Sequence, residues 1–388
     1  MVLKTHYISS FSRIIRAAAW RLLLLCFVIS LNPSATCQNQ FNINGYFSQA
    51  FAASNGNQIL GIPSNGTTNY RNAALLFSFK ADEKLAAHLQ FRHRLYGNSP
   101  LSKLEKTIQF DWGFLRYSLR DNLSIKFGRV LLPLGIYNEI RDVGILLPFF
   151  QAPFTPYSEG NFTAKAFDGA MLSYSNALPG NWSAESDFYF GQFSWIEWFR
   201  YRDPFTNSIA DFTRNISFRK ALGSRLFLNS PLEGVRFGGS VVHGNILYIQ
   251  PGRSNINGKG EGLTLALLSA DLTRETYYLR SEFTALESTN AKIKGFYIQG
   301  GIQLHEAIWL NVQHDNLNIA DADFFGVFIL QDVDYYSDYI AGINFHYRDY
   351  IIKAEGHITK GFATEEPIDF NGPPKKTNFI ILSLVTSF

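Results

Sequence analysis

The sequence predicts an all-β fold, a transmembrane antiparallel barrel of about sixteen strands with long outer loops and short periplasmic turns. Three observations predict it. A secretion signal opens the chain, short and long links alternate between stretches of period-two hydrophobicity, and a strand ending on the aromatic Phe388 closes it. Aromatic residues make up 15% of the chain, with 35 Phe and 19 Tyr. Lipid-facing barrel walls host such an excess naturally.

Residues 1–37 read as a signal peptide. Lys4, Arg13, Arg16 and Arg21 form a positive start, and Leu22–Leu31 is an apolar core too short to span a bilayer. Ala35, Thr36 and Cys37 offer a small-residue cleavage site before Gln38, with lipidation of Cys37 as the alternative. Cleavage after Cys37 removes both cysteines, Cys26 and Cys37, and with them any disulfide, thiol nucleophile or Cys metal site. The chain carries 35 basic and 32 acidic residues, but its first 37 residues hold four basic and no acidic ones. The remaining 31 basic against 32 acidic residues give no electrostatic reason to expect nucleic acid as a partner. No later stretch is apolar over 18 residues, so helical spanning is not expected.

Residues 38–388 read as one barrel. Strands are expected near 41–53, 70–80, 84–96, 107–119, 122–130, 166–178, 182–192, 214–229, 235–248, 262–273, 275–287, 292–304, 307–317, 335–348, 350–360 and 377–388. Lys84–Tyr96 alternates most cleanly. Leu85, Ala87, Leu89, Phe91 and Leu95 share one face, and Lys84, His88, Gln90, Arg92 and Arg94 the other. Asp211–Leu228 alternates least, because charges interrupt it. Links such as Ala81–Glu83 and Pro179–Asn181 are short, whereas Ser54–Asn69, Leu131–Lys165, Phe193–Thr213, Asn318–Asp334 and Gly361–Lys376 are long. In the last strand Ile380, Leu382, Leu384 and Phe388 fall on one face, with Thr386 the exception. That strand is expected to pair with the first, near Phe41–Ala53, leaving no free edge.

The longest link, Leu131–Lys165, follows Phe127-Gly128-Arg129 and falls third among the outer loops. The segment FGRVLLPLGIYNEIRDVG (127–144) resembles the stretch after "GR" in sixteen-stranded outer-membrane porins of the phosphate-selective O/P and related diffusion-porin type. The resemblance implies a third loop folded into the barrel, a trimeric assembly, a place in the bacterial cell outer membrane, and passive diffusion of small hydrophilic solutes or ions. It makes Arg129, Glu139, Arg141 and Asp142 candidates for the constriction. Charges in a narrow pore set ion preference more strongly than charges on an open surface. Replacing Arg141 with Glu is then expected to move the reversal potential toward cations. The phosphate-selective members use a ladder of basic residues, but here two carboxylates flank Arg141.

Alternation supplies lumen-lining candidates: His88, Arg92 and Arg94 on one strand, Arg116 and Lys126 on the next pair, then Lys292, Lys294, Gln299 and Gln303. A water-filled barrel is polar inside whatever it passes, so these residues also fit a generic lining. The apolar segment Leu146–Tyr157 is expected to pack on the barrel wall. Together with Phe193–Tyr201 it motivates a second reading, a barrel that anchors or serves a larger outer-membrane or surface complex alongside other outer-membrane proteins. The expected surroundings are outer-membrane lipid and lipopolysaccharide. No enzyme is expected: the histidines are scattered singly, no ligand pair has metal spacing, and no nucleophile elbow is present. No cofactor is called for.

Overall fold

A computed structural model describes residues 40–99, 102, 107–158, 164–202, 206–249, 261–289, 291–324, 328–362 and 374–388. The segment read as a signal peptide lies outside them. The strands are β1 (Gln40–Ser54), β2 (Thr67–Lys80), β3 (Leu85–Tyr96), β4 (Gln109–Arg120), β5 (Leu123–Leu131) and β6 (Ala166–Leu178). Next come β7 (Trp182–Arg202), β8 (Ile209–Asn229), β9 (Val235–Ile249), β10 (Glu261–Thr273) and β11 (Tyr277–Ser288). The series ends with β12 (Ala291–His305), β13 (Ile308–Phe324), β14 (Phe328–Tyr347), β15 (Tyr350–Gly361) and β16 (Lys375–Ser387). Each strand pairs antiparallel with its chain neighbours, and β1 pairs with β16, so the sheet closes on itself. The closing register sets Tyr46 opposite Ser387 and Ser54 opposite Phe379. Beyond it, Gly45 and Phe388 exchange both backbone hydrogen bonds, at 2.9 and 3.0 Å.

The strands form because their side chains meet two different media. On β16, Ile380, Leu382, Leu384 and Phe388 point outward and are 43–69% exposed, while Phe379, Ile381 and Val385 point inward and are buried. The same parity runs round the wall, through Phe47 and Phe51, Phe188 and Phe190, Ile343 and Phe345. A largely apolar exterior of this extent fits hydrocarbon rather than water. Among the described residues no helix is long and apolar enough to cross a membrane.

Short turns close one rim. In the first, Asp82 Oδ1 accepts from the amides of Lys84 and Leu85, both at 2.7 Å, which holds its exposed carboxyl below the usual range. Gly234 ends another turn at φ +69°, and a Cβ there would run into the Thr273 carbonyl.

Two expectations are corrected. The links 193–213 and 318–334 are mostly strand: β7 and β8 run 21 residues each, β13 runs 17 and β14 runs 20. Charges set among aromatic residues, as in FSWIEWFRY (193–201), break the clean alternation there, and pairing continues above the apolar band where neither face has to be apolar. The broken alternation in β8 has its own cause. A bulge between Arg219 and Leu222 puts Phe218 and Ala221 on the same inward face three residues apart.

The inner wall is not uniform. Toward the short-turn rim it carries Arg116, Lys126, Asp187, Arg225, Arg236, Asp271 and Arg280. Toward the long-loop rim the wall from β7 to β13 is largely apolar and buried, through Phe193, Phe218, Leu263, Leu265, Leu286, Ile293, Leu317 and Ile319, while β14 to β16 carry the buried Asp338, His357, Thr359 and Thr377 there. Lys292 and Lys294, expected in the lumen, fall on the outward face of β12, because they have the opposite parity to Gln299 and Gln303.

Candidate functional site

The chain leaving β5 turns into the barrel and returns to β6. Its neck is closed by the Leu132 amide donating to the Lys165 carbonyl at 2.9 Å. Asn138 Nδ2 donates to the carbonyls of Leu132, Ala164 and Lys165 at 2.8–3.4 Å, locking the two legs together. Beyond the neck the loop is held by side chains from the far wall. The Gly135 amide donates to Ser240 Oγ on β9 at 3.0 Å, and the Ile136 amide to Glu282 Oε1 on β11 at 2.9 Å. The Tyr157 hydroxyl donates to the same Glu282 carboxylate. Gly135 has φ +57°, and a Cβ there would meet that hydroxyl and carboxylate, so only glycine fits this approach.

The apolar second half is pinned just as closely. The Thr155 amide donates to Asp315 Oδ2 at 3.1 Å, and the Phe150 amide to Glu355 Oε2 at 2.9 Å. Lys353 Nζ, fully buried, donates to the carbonyls of Gly144, Leu147 and Phe149 at 2.5–3.0 Å. Leu147, Phe149 and Phe150 are buried inside the barrel. The buried part of the patch therefore packs on the wall from within, while Leu146 stays exposed. A buried ammonium capping three loop carbonyls, and buried carboxylates capping loop amides, satisfy backbone that would otherwise be orphaned away from water.

The four constriction candidates part company. Arg129 points outward from β5, on the same face as Ile125 and Phe127, and cannot reach the lumen; strand parity excludes it. Arg141 and Asp142 are inside but buried, 6% and 5% exposed. Arg141 Nη1 donates to Asn138 Oδ1 at 3.2 Å and to the Tyr157 carbonyl at 3.4 Å. Asp142 meets Lys165 Nζ at 2.6 Å and Arg92 Nη1 at 2.9 Å, with Arg94 Nη1 at 4.0 Å. Lys165 also bonds Asp111 Oδ2 at 2.7 Å. Burial alone would raise the Asp142 carboxyl, but Lys165, Arg92 and Arg94 together hold it well below the usual carboxylate range. Arg92 and Arg94, expected as open lumen charges, thus belong to a buried cluster that fastens the loop's neck to β3 and β4.

Glu139 is the candidate that stays wet. Its carboxylate bonds Arg225 Nη1 at 2.5 Å, and Arg225 in turn grips Asp187 Oδ2 at 2.7 Å; the side chains of Arg225 and Glu139 are 17% and 29% exposed. From there a chain of cations and rings follows the wall. Arg225 and Arg236 flank the Phe227 ring at 5.8 and 4.8 Å. Arg236 and Arg280 share Asp271, at 2.9 and 3.0 Å. Arg280 Nη1 donates to the Tyr137 hydroxyl at 2.8 Å, and that hydroxyl donates to Gln299. Burial pushes the Tyr137 hydroxyl up to about 12, so it stays protonated at neutral pH. On the other side of the loop, His88, Arg116 and Lys126 gather round Phe114, whose ring lies 5.2 Å from the imidazole and 5.7 Å from the ammonium. A cavity of about 410 Å³ at the short-turn rim is lined by Asn229, Arg236, Asp271, Thr273 and Arg280.

Sequence reasoning missed Arg225, Arg236, Arg280, Lys165 and Glu282. Strand parity alone would have found Arg236 on β9 and Arg280 on β11. Arg225 was hidden behind the β8 bulge. Among the described residues no group of His, Cys, Asp or Glu is placed to hold a metal ion.

No protein-family model matches the chain, and no curated protein matches it. Solved structures do. The outer membrane channel DcaP of Acinetobacter baumannii superposes with a TM-score of 0.59 at 9% identity, over 91% of this chain and 99% of that one. An anion-selective porin from Comamonas acidovorans gives 0.57 at 10% identity, over 90% and 100%. Salmonella typhi OmpF, in a complex with daunomycin, gives 0.56 at 12% identity, over 90% and 98%. At such identities the likeness is one of fold: this chain is a closed antiparallel barrel of sixteen strands, built as these outer-membrane porins are built.

Proposed function

We propose that the chain is a porin of the bacterial outer membrane, a passive diffusion channel for small hydrophilic solutes or ions, made with a cleaved signal peptide and assembled as a homotrimer. The observation that carries this reading is the run of residues 132–158 lying inside the barrel, with wet charges on its short-turn side. Glu139 on the loop and Arg225, Arg236 and Arg280 on the wall border the remaining polar space. Catalysis has no part in it. Arg116, Lys126, Arg225, Arg236 and Arg280 outnumber Glu139, Asp187 and Asp271 along that wall, which favours anions. The segment 127–144 adds likeness to the phosphate-selective type. Single-channel recording of the purified protein in a planar bilayer tests the proposal. Discrete conductance steps with an anion-directed reversal potential in a salt gradient are expected; a silent bilayer would overturn it.

One observation favours the other reading, a barrel that anchors or serves a larger surface complex. The inner wall from β7 to β13 toward the long-loop rim is largely apolar and buried, which narrows the aqueous path. A silent bilayer, together with co-purification of a second outer-membrane protein, would select that reading.

A further inference from the structure

The exterior is not uniformly convex. A groove of about 950 Å³ crosses the outer wall from β11 to β1. Its walls are the outward residues Leu279, Ile298, Val312, Tyr339, Ile358 and Ile380. Its floor is low because Gly300, Ala341 and Gly356 stand where the neighbouring wall carries Phe and Ile. A Cβ added at Gly356 would meet nothing within 4 Å, so the hollow there is empty space in contact with the surroundings of the barrel.

The groove ends toward the long-loop rim beneath two lysines. Ile358 and Asn378 line it, and the next outward residues on the same strands are Lys360 and Lys376, roughly 7 Å further on at strand spacing. These two face each other directly in the β15–β16 register, and both are exposed. Among the described residues neither has a carboxylate within ion-pair distance. Like charges directly opposite on one face of a sheet repel. Just below them the His314 and Tyr339 rings stack at 4.2 Å, polar-edged aromatics at the height where an apolar band gives way to water.

We infer that this groove binds one phosphorylated, acylated lipid of the outer leaflet, its chains lying over Gly356 and Gly300 and its phosphate bridging Lys360 and Lys376. The inference rests on the barrel standing in a membrane, though not on its conducting. Two opposed ammonium groups above an apolar trough match an anion joined to hydrocarbon. A zwitterionic lipid would leave them half-compensated. A second copy of this chain packed here would bury two like charges without a partner, which is costly.

Native mass spectrometry of the detergent-solubilised full chain, offered diphosphoryl lipid A or phosphatidylcholine, tests the inference. The wild type is expected to retain one lipid A roughly tenfold or more above phosphatidylcholine, since each lysine near an anionic surface adds a comparable factor. The double variant Lys360→Gln/Lys376→Gln should lose that preference. Gly356→Leu, which fills the hollow without touching the backbone, should lose retention while both lysines remain. Both variants should keep wild-type heat-modifiable gel mobility and conductance. Equal retention by wild type and both variants would overturn the site, as would equal retention of phosphatidylcholine or full displacement of lipid A by millimolar inorganic phosphate. An oligomer that Gly356→Leu dissociates with lipid retention unchanged would assign the face to a second copy instead.

Discussion

Arg141 and Arg225 carry the same charge but stand in different media. Arg141 is enclosed by Asn138 and the Tyr157 carbonyl, while Arg225 borders the lumen between Glu139 and Asp187. On the proposed channel reading, the influence on ion preference that the sequence attached to Arg141 is expected at Arg225 instead. Arg225→Glu should move the reversal potential in a salt gradient toward cations, changing the permeability ratio by a factor on the order of ten. Two units of charge at the edge of a partly screened lumen are worth about 1–2 kcal/mol. Arg141→Glu should instead loosen the loop, seen as larger and noisier current steps. The neck carboxylate gives a prediction in pH. Asp142 sits well below the usual carboxylate range in the folded chain, so its contribution to stability is complete above the unfolded value of about 4. It is lost only as pH falls through the lower folded value. The stability difference between wild type and Asp142→Asn in urea should be constant from pH 7 to pH 5, at about 3–5 kcal/mol, and shrink only below pH 4. A difference that vanished at pH 6 would contradict the ion cluster.

At the scale of elements, the loop and the strands it crosses are fitted to each other. Gly135→Ala should push the loop off Glu282 and raise unitary conductance, leaving the barrel folded by its gel mobility. Outward positions answer to lipid instead. Leu382→Arg near mid-wall should cost about 2–4 kcal/mol of folding stability in bilayers, measured by urea titration. How much was legible in the sequence follows the same division. Strand positions such as 84–96, 166–178 and 350–360 were readable because a membrane forces each residue to one of two faces. The arms of β7, β8, β13 and β14 were not, because above the apolar band that constraint lapses. The loop's entry into the barrel came only through resemblance. Its anchors, Glu282, Lys353 and Glu355, lie more than a hundred residues away, and no local pattern links them to Ile136 or Phe150.

At the scale of the whole molecule, closure of β1 on β16 leaves the sheet no free edge, and such a hydrogen-bonded ring is expected to resist detergent until heated. Unboiled protein should migrate apart from boiled protein on a denaturing gel; identical mobility would argue against a closed barrel. The terminal Phe388 completes that ring through its paired bonds to Gly45.

The unequal strand lengths have a consequence outside the membrane. β5 spans nine residues, while β7 and β8 span 21 each. At strand rise and a tilt near 45°, the longer pair stands roughly 50 Å tall against an apolar band of about 25 Å. Short turns hold the strands level at one rim, so the excess projects from the other as a stiff paired arm. The end of that arm, near Thr206–Ser208, stands well clear of the apolar band, and a short epitope inserted there should label living cells without entering the channel.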